Sequence, residues 1–135
     1  MIRFFEDSDY EIVCQWWDKR EIGKVPSTML PKLGVVWIEG DRPGAMGWLY
    51  MDNSTGVCFP AWFTADPDLG PKAIYRGITN VLKFLENEAK SMKYGAMIAQ
   101  TNIPGLAAIY SRHGFQKGDE SMVQLFKSLE VSDGN

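Results

Sequence analysis

Ala96 to Gln100 is a short apolar run with helical periodicity on both sides of it. A strand bounded by helices reaches its neighbour only by a crossover, so it pairs in parallel and is buried on both faces. The helix before it is strongly marked. Ile74, Ile78, Val81, Leu82, Leu85, Ala89 and Met92 recur at spacings that keep them on one face. Lys72, Arg76, Lys83 and Lys90 fall on the other, solvated side. The stretch after it, Thr101 to Phe115, reads as a shorter helix with signals at both ends. Asn102 is placed to cap the first turn, and Pro104 falls where a missing N–H costs nothing. Leu106, Ile109 and Tyr110 share a face. Gly114 supplies a left-handed residue past the last turn, and Phe115 then packs back onto Ile109 and Tyr110 in a Schellman arrangement.

Upstream, three runs read as strands: Leu33 to Glu39, Ala45 to Asp52, and Val57 to Thr64. Turns of about four residues separate them, which predicts an antiparallel meander. Pro60 interrupts the third run and marks an edge or a bulge there, because proline has no N–H for a ladder. Ile2 to Glu6 reads as a short opening strand. Ser8 with Glu11 forms a capping box for a helix through Tyr10, Val13, Cys14 and Trp17 to about Arg20. Glu21 to Pro31 reads as a loop or broken helix. Ser121 to Ser128 alternates in the manner of a final strand. The expectation is an α/β (α+β) chain: a mixed sheet of about six strands flanked by helices, one domain over residues 1–130, and a frayed tail over 131–135.

The net charge of -3 leaves no basic footprint for nucleic acid or for an anionic membrane surface, and no apolar run is long enough to span a bilayer. Cys14 and Cys58 lack ligand spacing, and His113 is the only histidine, so no metal site is expected. The acidic start, without a signal peptide's apolar core, predicts a cytoplasmic protein.

The order strand, helix, broken helix, three strands, helix, strand, helix, strand, with Asn102, Ala107 and the Y-x-x-x-G-F of Tyr110, Gly114 and Phe115, resembles the GCN5-related N-acetyltransferases. Short, divergent chains of this kind are also similar to some encoded by bacteriophages. The resemblance implies an acyl-CoA N-acyltransferase-like fold and acetyl-CoA as cosubstrate. It implies main-chain amides at Phe63, Thr64 and Ala65 beside the thioester, and a diphosphate loop before the long helix drawing on Gly70, Lys72 and Ala73. Asn102 would contact the cofactor arm, and Tyr110 would protonate the departing thiolate. The acceptor would be a small-molecule or protein amine attacking the acetyl carbonyl directly; a homodimer stays open. The family's R/Q-x-x-G-x-G/A loop is not reproduced in either register: placed directly after Thr64, it puts Gly70, Ala73 and Tyr75 at its three motif positions, and anchored on Leu82 it puts Ile74, Gly77 and Thr79 there. Asp52, Asp66 and Asp68 all lie in turns or at strand ends, so no base is singled out. An interaction module that has lost the cofactor is the alternative, with a contact patch drawn from exposed members of Trp16, Trp17, Trp37, Trp48 and Trp62.

Overall fold

A computed structural model of the chain describes residues 1–129. They fall into two compact units, Met1–Asn102 and a second that begins at Ile103.

The first unit is built on five strands: β1 (Ile2–Phe4), β2 (Leu33–Glu39), β3 (Arg42–Met51), β4 (Val57–Ala65) and β5 (Ala96–Met97). Their order in the sheet is their order in the chain. The first three junctions are antiparallel, as a meander requires, and β4 meets β5 in parallel after the crossover through α2 (Pro71–Ser91). Helix α1 (Tyr10–Lys19) places Val13, Trp16 and Trp17 against Val36, Met46 and Trp48 of the sheet. Side chains alternate along a strand, so Trp37, Ala45 and Gly47 point to the opposite face. There α2 approaches closely enough that Gly77 lies against the Trp37 ring and Ala45. A side chain at Gly77 would collide with both, so a residue unfavourable in a helix interior is kept for contact.

The capping box is real but lies two residues early. Asp9 accepts from the Glu6 amide at 2.8 Å, and the Glu6 side chain caps the Asp9 amide in return. Asp9 is 2% exposed and is held by both guanidinium nitrogens of Arg3, at 2.7 and 2.8 Å. That fork explains why Asp9, and not Ser8, is drawn into the fold. The segment after α1 is tied down by two tyrosines, Tyr10 donating to the Val25 carbonyl at 2.8 Å and Tyr50 to that of Met29 at 2.6 Å. Trp16, Trp17, Trp37 and Trp48 are all at most 6% exposed, which removes them from any contact patch.

In the second unit, α3 (Pro104–Arg112) ends as its sequence dictates. Gly114 has φ of 89°; the amide of Phe115 reaches the Tyr110 carbonyl at 3.1 Å, and that of Gly114 reaches Ser111 at 3.2 Å. This is the hydrogen-bond pair of a Schellman motif. It brings the rings of Tyr110 and Phe115 to 4.9 Å. At the other end the cap residue is Ile103, without a side-chain hydrogen bond, and not Asn102. No strand forms over Ser121 to Ser128 among the described residues, so the sheet has five strands and not six. Alternation specifies which side chains would share a face, but a ladder also needs a neighbouring backbone. The tail expected over 131–135 lies outside the described residues.

Candidate active site

Strand β4 runs for nine residues, yet β5 pairs with only its first two: Val57 with Ala96 and Cys58 with Met97. The last contact on this edge is the Ile98 amide to the Cys58 carbonyl at 2.9 Å. From Phe59 to Ala65 the strand keeps its ladder to β3 and has left β5. Two features of the sequence cause the parting.

The first is Pro60. The Cys58 carbonyl is bonded to β5, so two residues on, the main chain of Pro60 faces the same edge with no hydrogen to donate. The second is a bulge, which lies beyond Pro60 and not at it. Register breaks between Met46, opposite Thr64, and Trp48, opposite Ala61. Trp62 and Phe63 therefore stand together across from Gly47. Trp62 takes a φ of 62°, a left-handed conformation uncommon for any residue but glycine. Its indole N–H donates to the Tyr50 hydroxyl at 2.9 Å, and that hydroxyl donates to Met29. The ring of Phe63 lies directly over Gly47, where a Cβ would come within 2.5 Å of it. Gly47 inside a strand pattern was the sequence signal for this bulge.

Past the bulge the alternation is reset. The Asp66 amide donates to Gly44 of β3 at 2.9 Å, so Thr64 also faces β3, while Ala65 turns its main chain to the edge that β5 has left. The Ala65 carbonyl on that edge accepts from Arg20 at 2.9 Å, a contact that joins α1's end to the slot and that nothing in the sequence pattern foretold.

The loop into α2 is closed on itself. The Asp66 carboxylate accepts from the Asp68 amide at 2.9 Å, and the Asp66 carbonyl accepts from Leu69 at 3.1 Å. Asp66 is 6% exposed and lines two adjoining clefts that share Arg42 and Pro43; its free oxygen is 3.7 Å from Arg42. Lys19 and Asp68 form an ion pair at 2.8 Å, which holds the Asp68 carboxyl below its usual range. Gly70 precedes the helix in extended conformation, and the first internal bond runs from Ile74 to the Gly70 carbonyl. The amides of Lys72 and Ala73 thus have no acceptor within the helix, and Lys72 is exposed beside them. Tyr75, in the same turn, is 38% exposed. Asn102, at the end of the first unit, is also exposed.

Tyr110 stands on α3 in the second unit, 6% exposed. Burial pushes its phenol far above the ordinary tyrosine range, so it keeps its proton at neutral pH. Among the described residues, no three His, Cys, Asp or Glu side chains are grouped to hold a metal ion, and no helix is long and apolar enough to cross a membrane.

No protein-family profile matches this sequence, and no curated protein matches it significantly. Solved structures do. The ribosomal-protein-S18-alanine N-acetyltransferase of Escherichia coli superposes with a TM-score of 0.73 at 12% identity, over 88% of this chain and 79% of that one. The glucosamine-6-phosphate N-acetyltransferase of Arabidopsis thaliana gives 0.67 at 15% identity, over 94% and 98%. An acetyltransferase of Trypanosoma brucei gives 0.67 at 14%, over 93% and 99%. Identities this low establish the architecture.

Proposed function

We propose, from the premise that this chain has the fold of the GCN5-related N-acetyltransferases, that it moves an acetyl group from acetyl-CoA to an amine by direct attack. The observation that carries the reading is the early departure of β4 from β5, which pairs with only the first two of that strand's nine residues. A sheet gives up such bonds at a cost, and an extended amide-bearing arm laid along that edge restores them.

The cosubstrate supplies an acyl carbonyl activated by its thioester. The chain's own groups do the rest. Amides of Phe63 and Ala65 would donate to the carbonyl oxygen as negative charge develops there, and donors fixed in advance are worth most where water is excluded. The bulge at Trp62 aims them, and the Trp62–Tyr50–Met29 hydrogen bonds keep the bulge in place. At the mouth, Gly70, Lys72 and Ala73 offer main-chain amides and one ammonium to an anion, with the helix dipole behind them. Tyr110 is the acid in this reading. A phenol held protonated by burial has the right charge state to give a proton to a leaving thiolate. A cytoplasmic setting and a small-molecule or protein amine as acceptor go with it.

Thermal melting tests the reading. A ligand at about 100 times its dissociation constant stabilises the folded state by about 2.7 kcal/mol. Acetyl-CoA is expected to raise the melting temperature by several degrees. No shift at millimolar acetyl-CoA overturns the proposal.

A further inference from the structure

We infer that the cleft between α1 and the place where β3 begins and β4 ends is a binding site for a small zwitterion, an α-amino acid with an apolar side chain. The site is separate from the acyl-transfer slot and does not depend on it.

In this chain an arginine closes on a buried aspartate once completely and once only in part. Arg3 holds Asp9 with both guanidinium nitrogens, at 2.7 and 2.8 Å, and the Asp9 carboxylate accepts the Glu6 amide as well. Those are the distances of charge-assisted hydrogen bonds. Arg42 stands 3.7 Å from Oδ2 of Asp66, near enough to feel its charge but too far to hydrogen-bond to it. Oδ1 of Asp66 accepts the Asp68 amide at 2.9 Å, whereas Oδ2 accepts no hydrogen bond among the described residues. The Asp66 side chain is nevertheless only 8% exposed. A buried carboxylate oxygen without a donor costs free energy, and more than a neutral acceptor would.

Two clefts meet at Arg42 and Asp66, of about 240 and 190 Å³. Sites for drug-sized ligands run to about 300–1,000 Å³, so the occupant is smaller than these. In the larger cleft the two charges lie at different depths. The Asp66 carboxylate is inside, while the Arg42 side chain, 76% exposed, stands at the mouth and is able to turn. Ile12 and Trp16 of α1, with Pro43 of β3, give the cleft an apolar wall. Lys19 is on its rim but is taken by Asp68 at 2.8 Å.

A ligand that completes this arrangement carries a cation with hydrogens to donate and an anion close behind it. An ammonium entering first gives Oδ2 the hydrogen bonds it lacks. A carboxylate one carbon away meets the Arg42 guanidinium, whose planar fork matches two carboxylate oxygens. An apolar side chain on that same carbon lies against Ile12 and Trp16. A cation alone would leave Arg42 facing a second positive charge, and an anion alone would meet Asp66, so neither half suffices.

Calorimetric titration of the full chain, without acetyl-CoA, tests this with three probes of closely related skeleton: leucine, isopentylamine, which lacks its carboxylate, and isocaproate, which lacks its amine. Leucine is expected to bind at least about tenfold more tightly than either, since a hydrogen-bonded contact to a charged group is worth about that factor. Arg42→Gln changes an exposed side chain and is expected to bring leucine down to the affinity of isopentylamine. Asp66→Asn keeps an oxygen for the Asp68 amide and is expected to bring leucine down to the affinity of isocaproate. A parallel thermal melt shows whether Asp66→Asn is folded; where it is not, Arg42→Gln decides alone. Isopentylamine or isocaproate binding as tightly as leucine, or leucine binding that survives Arg42→Gln, overturns the inference. So does the absence of binding by all three at millimolar concentration. Because acetyl-CoA is left out throughout, none of these outcomes bears on the acyltransfer reading, which its own melting experiment decides.

Discussion

Replacing Gly47 with alanine tests whether the slot depends on how tightly Phe63 is packed. No left-handed φ is required at Gly47, so the substitution costs nothing in backbone conformation. The whole penalty is steric. The added Cβ would sit 2.5 Å from Cδ1 and from Cε1 of Phe63, and 2.7 Å from Cγ1 of Val81 on α2. Carbon atoms pack at about 3.5–4.0 Å, so the ring must withdraw by about 1 Å. It cannot withdraw freely, since Phe63 is 8% exposed and Val81 fully buried. Overpacking of this kind costs about 1–3 kcal/mol. At about 2.1 cal/mol/K per residue, a chain of this length unfolds with an entropy of about 0.28 kcal/mol/K, which converts the penalty to about 4–11 °C in melting temperature. Differential scanning calorimetry reads this directly, with Gly23→Ala as control: nothing lies within 4 Å of its added Cβ. Because Phe63 is half of the bulge, acetyl-CoA binding is expected to weaken in the same variant. A Gly47→Ala protein that melts within 1 °C of the parent refutes the packing argument, and one that melts low but binds acetyl-CoA normally refutes the link to the slot.

Three further outcomes are expected. Burial alone would raise the Asp9 carboxyl, but the hydrogen bonds from Arg3, the Glu6 amide and the Arg3 charge together hold it below its ordinary value of 3.8. Its contribution to stability is therefore complete above about pH 4 and is lost as pH falls through the lower, folded value. In Arg3→Met, burial prevails and the sign reverses, so that stability is lost as pH rises from 4 to 6; urea melts across pH 3–6 that keep the parental slope would contradict this. Gly114→Ala forces a Cβ into a left-handed residue with φ of 89°, at a cost of about 1–2 kcal/mol. Hydrogen exchange at the Phe115 amide should quicken accordingly, whereas Gly118→Ala, an open position, leaves it unchanged. Tyr110→Phe is expected to lower kcat about 100-fold with donor affinity retained, as for loss of a general acid. Unaltered turnover removes Tyr110 from that role.

What the sequence determined by itself is what local patterns can carry. The 3.6-residue period of Ile74 to Met92 is α2, and the period-two runs with turns between them are β2, β3 and β4. Gly114 followed by Phe115 dictates a helix end down to the individual hydrogen bonds, because a Schellman motif is closed within six residues. Resemblance over Tyr110, Gly114 and Phe115 was enough to name the fold that the solved structures share. Tertiary structure alone decided the rest. Pro60 announced a break, but the bulge settled on Trp62 and Phe63, because Gly47 on the next strand is the position that admits a ring from above. Ser121 to Ser128 has a strand's alternation and is not one among the described residues, since a ladder is a property of two backbones. The same holds for the loop before α2. Its composition shows two prolines and two aspartates, but that the Asp66 amide is spent and both carboxylates are paired follows from where Gly44, Arg42 and Lys19 arrive, and these come from more than twenty residues away in the chain.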